Sequence, residues 1–67
     1  MRVLIQDARS KEYFCEREWV KDARKAANFV SHRLAYDVAR HTSVAEFNIV
    51  LFSPVAGYLF NVDHGRN

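Results

Sequence analysis

The stretch VKDARKAANFVSHRLAYDVARHT, residues 20 to 42, decides the fold, because it admits two readings that build different molecules. In the first it is one long helix: Val20, Ala23, Ala27, Val30, Leu34 and Val38 recur at steps of three and four and would line a single helical face. In the second it is broken. Asp22 caps one short helical turn, Asn28-Phe29-Val30 is extended, and Ser31 caps a helix running to about His41. The broken reading accounts for Phe29, which falls off the apolar stripe of the continuous helix, and it places β-favouring residues next to a good cap. From Ser31 onward the spacing predicts that Leu34, Ala35, Val38 and Ala39 are buried and that Arg33, Asp37 and Arg40 face water. His41 then sits where the helix dipole favours a positive charge.

On the N-terminal side, Arg2 to Asp7 (RVLIQD) and Tyr13 to Cys15 are β-prone runs separated by the short polar ARSK, which predicts a hairpin. On the C-terminal side, SVAE at residues 43 to 46 matches a capping-box pattern. The β-favouring FNIVLF that follows makes that match accidental. FNIVLF, SPVAG and YLFNV form the clearest hairpin, since Pro54 cannot donate a ladder hydrogen bond and Gly57 tolerates positive φ.

The expected fold class is therefore α+β: a small, mostly antiparallel sheet of four to five strands with one main helix packed on one face, in the order two strands, short helical turn, strand, helix, two strands. Residues 1–62 form a single domain and residues 63–67 a flexible C-terminal tail. Phe47, Ile49 and Leu51 fall on one face of their strand, Val50 and Phe52 on the other. A strand apolar on both faces needs cover on both. One helix covers one side, which leaves the other to a second subunit or a partner and makes a homodimer the expected state.

Composition narrows the class. A chain of 67 residues has room for one core, and at that size folding buries only about 60% of the unfolded chain's surface. The sequence is 49% hydrophobic and 27% charged with two Gly and one Pro, a profile of folded domains and not of disordered tails. Cys15 is the sole cysteine, which excludes an internal disulfide and points to a reducing, cytoplasmic setting. The opening MRVLIQDARS has too short an apolar run for a signal peptide, and Ile49 to Phe52 falls far short of a membrane span. Ten Lys and Arg against eight Asp and Glu leave a net charge of +2, a surplus that permits nucleic-acid binding without arguing strongly for it.

The stretch EYFCEREWVKDARKAANFVSHRLAYDVARH, residues 12 to 41, resembles a block found in small bacterial proteins of uncharacterised function. Their pattern is an aromatic strand, a Trp, an Asp three residues on, then an Ala, a Phe, a Ser or Thr, and two Ala on the following helix. Trp19, Asp22, Ala26, Phe29, Ser31, Ala35 and Ala39 fill it. The resemblance spans roughly residues 2 to 41 and implies the broken reading, with Asp22 and Ser31 as caps and Phe29 as a sheet residue. It implies a fold and no chemistry. This chain departs from the pattern at Glu16-Arg17-Glu18, where a glycine-containing turn is more usual.

The residues offer little catalytic machinery. Gly57 and Gly65 are too few and too far apart for a phosphate-binding loop. His32, His41 and His64 lack the spacing of a helical metal pair, and Asp63-His64 reads as part of the tail. No metal or cofactor is expected. Cys15, in an apolar strand run, reads as a small buried hydrophobe, and Glu16 and Glu18 as a solvated turn. Trp19, beside Arg17 and Lys21, is a candidate partner anchor, against the plainer role of closing one end of a small core. Lys21, Arg24, Lys25, Arg33, Tyr36 and Arg40 form the one candidate nucleic-acid patch. The expected function is a non-enzymatic interaction or structural module acting as a homodimer. Weak nucleic-acid binding through that basic face is the alternative, and an enzyme comes third.

Overall fold

The computed structural model describes residues 1–67 and resolves the central stretch into pieces. Five strands, β1 (Arg2–Asp7), β2 (Tyr13–Cys15), β3 (Glu18–Val20), β4 (Glu46–Ser53) and β5 (Tyr58–Arg66), accompany one helix, α1 (His32–Ala39), and a single 3-10 turn at Ala23–Lys25. All pairings are antiparallel, in the order β3-β2-β1-β4-β5. The fold is thus a small α+β domain. No helix is long and apolar enough to cross a membrane.

Both caps form as the sequence indicates. Asp22 Oδ1 accepts the Arg24 N–H at 2.9 Å and Ser31 Oγ accepts the Leu34 N–H at 3.1 Å, each satisfying a donor that the start of a helical turn leaves free. Between the caps, the third strand expected at Asn28–Val30 is absent. The third strand is Glu18–Val20, paired with β2 through a tight turn at Glu16-Arg17. The hairpin β1–β2 registers only at Gln6 and Tyr13, so its open end leaves backbone groups of β1 unpaired. Residues 27–29 fill that wedge. The Ala27 N–H donates to the Phe14 carbonyl (3.0 Å), the Phe29 N–H to the Val3 carbonyl (2.9 Å), and the Val3 N–H to Asn28 Oδ1 (3.0 Å). A side chain therefore stands in for one rung of a ladder, and Val30, at φ 67°, turns the chain into α1 before a strand can continue.

The wedge has a larger consequence, because through it the chain passes from one face of the sheet to the other. On the first face, Val3, Ile5, Phe47 and Ile49 pack with Val44 and with Ala35 and Ala39 of α1. On the second, Leu4, Tyr13, Val50 and Phe52 pack with Ala26, flanked by Val20 and Ala23. The chain thus covers this part of the second face itself, and the premise that another subunit must do so does not hold.

α1 approaches the sheet along Ala35 and Ala39, both fully buried, where small side chains permit close contact. Leu34 lies well off that line and is exposed, contrary to its expected place in the core. The helix stops at Ala39, and His41 follows it, its Nδ1 donating to the Asp37 carbonyl at 2.7 Å.

Residues 63–67 are no tail. β5 runs through Arg66, and the Asn67 side-chain amide donates to the carbonyls of Ala39 (3.0 Å), Thr42 (3.3 Å) and Val44 (2.9 Å). Gly65 explains the close fit. A Cβ there would stand 2.8 and 2.9 Å from the Cε atoms of the buried Phe47 ring, so only glycine admits the ring.

Candidate interaction edge

β5 follows the Pro54–Gly57 turn, in which Gly57 adopts φ 76° and its N–H donates to the Ser53 carbonyl at 2.7 Å. Being last in the sheet order, β5 pairs with β4 on one side and leaves its other side unpaired. Its register with β4 shifts between Ile49 and Val50, so the strand has two halves.

The first half is apolar and open. Tyr58, Leu59, Phe60 and Val62 are 62%, 46%, 51% and 44% exposed, although such side chains favour burial. The Tyr58 and Phe60 rings stand 5.9 Å apart on one flank, as alternation along a strand requires. Val55 extends the apolar surface at the hairpin tip, fully exposed.

The second half is polar and tied down on both faces. On the helix face, His32 Nε2 donates to Asp63 Oδ2 at 2.8 Å, linking the start of α1 to β5. The His64 backbone N–H also donates to Asp63 Oδ1 at 2.8 Å. This backbone bond first, then the His32 bond, holds the Asp63 carboxyl below its ordinary pKa. On the opposite face a row of side chains crosses four strands. His64 Nδ1 donates to Asn48 Oδ1 (2.9 Å), Asn48 Nδ2 to Gln6 Oε1 (3.0 Å), and Gln6 Nε2 to the Tyr13 hydroxyl (3.4 Å). The buried Asn48 is thereby satisfied. Glu46 lies 3.6 Å from His64 and 3.8 Å from Arg66.

A shallow groove of about 410 Å³ opens between α1 and β5, lined by His32, Arg33, Tyr36, Asp37 and Asp63. Tyr36 is anchored edge-to-face on Phe47 with ring centroids 5.2 Å apart. The groove brings together the Arg33 guanidinium, the Asp37 and Asp63 carboxylates and the His32 ring, with His32 and Asp63 hydrogen-bonded to each other. No three His, Cys, Asp or Glu side chains come together as a metal site.

The six residues of the candidate basic patch do not meet. Lys21, Arg24 and Lys25 belong to the segment that packs through Ala23 and Ala26 on the second face. Arg33, Tyr36 and Arg40 belong to α1 and its cap on the first. The sheet stands between the two groups. Trp19 lies opposite Phe14 across β2 and β3, their rings 5.3 Å apart edge to face, and Phe14 stacks in turn on Phe29 at 6.0 Å. Half-buried against the first core, Trp19 closes one end of it. Cys15 is half-buried beside the Glu16-Arg17 turn, more open than expected.

Nothing in YLFNV says which strand ends at an edge, so the sequence does not mark Tyr58, Leu59, Phe60 and Val62 as surface residues. Their one signal is a run of five uncharged residues directly after a turn.

No protein-family model matches this chain, and neither a curated protein nor a solved structure matches it.

Proposed function

We propose that this protein is a non-enzymatic interaction or structural module that acts as a homodimer through the outer flank of β5. The observation that carries this reading is the open apolar half of that strand, with Tyr58, Leu59, Phe60 and Val62 side by side on an unpaired edge. Exposed single apolar residues are ordinary on protein surfaces; a contiguous set on an edge strand marks a surface that works by being covered. Size adds to the case. With only 14 of 67 residues buried, the chain stands to gain from association in proportion to its small core.

Sedimentation across a dilution series tests the reading. The expected result is a mass of twice 7.8 kDa that falls to the monomer on dilution. A monomer at high micromolar concentration would remove homodimerisation and direct attention to a different partner for the same edge.

A further inference from the structure

We infer that two copies join β5 to β5 in antiparallel register about Phe60, giving one continuous sheet of twice five strands with both α1 helices on the same face. This rests on the homodimer reading above and specifies how the copies meet.

The two edges of the sheet offer unequal partners. β5 is nine residues long and β3 only three, and β3 begins at Glu18 directly after Arg17. Pairing β5 with β3 of the next copy would be head-to-tail and would leave a free edge at each end, the arrangement that grows filaments. Pairing β5 with itself about a two-fold axis uses the same edge twice and closes. Because the axis stands perpendicular to the sheet, residues meet others of their own face, and the alternation of the strand is preserved.

Charge chooses the register. Tyr58 to Val62 contains no charged residue, and Asp63 is the first to follow. With Phe60 on the axis, Phe60 faces its own copy, Tyr58 faces Val62 and Leu59 faces Asn61. Asp63 then falls opposite Gly57, at the hairpin tip. Moving the axis one residue along, to Asn61, sets the Asp63 carboxylate against Leu59; moving it to Asp63 opposes two like charges, which is destabilising. Moving it the other way, to Leu59, shortens the overlap, since β5 begins at Tyr58. The register shift between Ile49 and Val50 leaves Val62 as the extra residue between Asn61 and Asp63. The regular edge therefore runs from Tyr58 to Asn61, the Tyr58–Val62 contact sits at its end, and the bulge limits how far the edge can template pairing.

The area suits a weak dimer that dissociates on dilution. Two aromatic and two aliphatic side chains, each about half open, leave on the order of 400 Å² of apolar surface per copy. Edge pairing covers part of this on each copy, and the backbone ladder adds to it. The contact therefore falls below the roughly 1,200 Å² at which standard interfaces begin, in the range of weaker, concentration-dependent ones. In this arrangement the Tyr58 and Phe60 pairs of both copies gather into one cluster of rings on the helix face.

Cysteine placement tests the register and sedimentation tests the association. In a Cys15→Ser background, Phe60→Cys is expected to cross-link to its own copy on mild oxidation, because facing antiparallel residues lie about 4.5–5.5 Å apart between Cα atoms, within disulfide reach. Tyr58→Cys should cross-link poorly alone and efficiently when mixed with Val62→Cys. Phe60→Asp in the otherwise unaltered chain should raise the dimer dissociation constant by about a hundredfold or more while its circular dichroism stays that of the folded chain; Arg17→Asp should leave the constant unchanged. A dimer that persists in Phe60→Asp and does not cross-link through position 60 overturns the β5 pairing and leaves the homodimer standing. A monomeric unaltered chain overturns both.

Discussion

The two edges of this sheet solve the same problem in opposite ways. At the β3 edge the strand is three residues long, bears Glu18, and lays Trp19 inward against Phe14, so little ladder and little apolar surface is offered to a neighbour. At the β5 edge the strand is nine residues long and turns its aromatic side chains outward. Short, charged edges resist pairing and long apolar ones invite it. A single large ring thus stabilises the protomer at one edge, whereas at the other the rings contribute only once something covers them.

The largest expected effect strikes β5 from within. Gly65→Ala forces a methyl group into the buried Phe47 ring, and an overpacked core of this kind costs about 3 kcal/mol. Chemical denaturation should show most of the protomer's stability gone, and Phe47→Leu in the same chain should recover part of it by vacating the space. Next comes the contrast between the edges. Trp19→Ala should cost about 2 kcal/mol, a half-buried share of the core value. Phe60→Ser should cost under about 0.5 kcal/mol when measured dilute enough that both chains are monomeric. Equal losses would dissolve the distinction drawn between an inward and an outward edge.

A smaller effect of opposite sign belongs to the β2–β3 turn. Glu16 holds φ 56°, a left-handed conformation that an L side chain resists and glycine accepts. Glu16→Gly should therefore stabilise by about 0.5–1 kcal/mol in thermal melts, sharpening the short edge without touching β5.

The smallest effect concerns acid. Asp63 has its pKa lowered in the folded chain by the His64 backbone N–H and then by His32. The unfolded state therefore binds the proton more readily, and stability conferred above about pH 4 is lost as pH falls through the lower folded value. Asp63→Asn should flatten that acid limb, seen as a smaller change in melting temperature between neutral and acidic buffer; an unchanged limb would mean that the tie between α1 and β5 does not respond to protonation.

Much of this architecture was legible because local chemistry dictated it. Asp22 and Ser31 are caps in the sequence and caps in the fold, since a short side-chain oxygen before a turn has one nearby use. The alternation of Phe47, Ile49 and Leu51 against Val50 and Phe52 assigned two faces that the two cores respect. Asn28-Phe29-Val30 misled because its extended preference is real while its hydrogen bonds are set by an opening between β1 and β2 that only the assembled hairpin possesses. Asp63-His64 misled in the opposite sense: polar residues near a chain end suggest a tail, yet His32 and Asn48 wait for them at positions 31 and 16 residues away.

The candidate surfaces divide along the same line. Six residues that looked like one basic patch are parted by a sheet that the chain crosses between Ala26 and Phe29. The apolar edge went unseen because YLFNV has the composition of a core strand. By itself the sequence determined the two helix caps, the strands β1, β2 and β4, the Pro54–Gly57 turn and the facing of β4, all of which depend on neighbours within a few residues. Tertiary structure alone decided which strand lies outermost and which segment covers the second face, because both depend on strand order and on a crossing between strands. No local periodicity encodes either one.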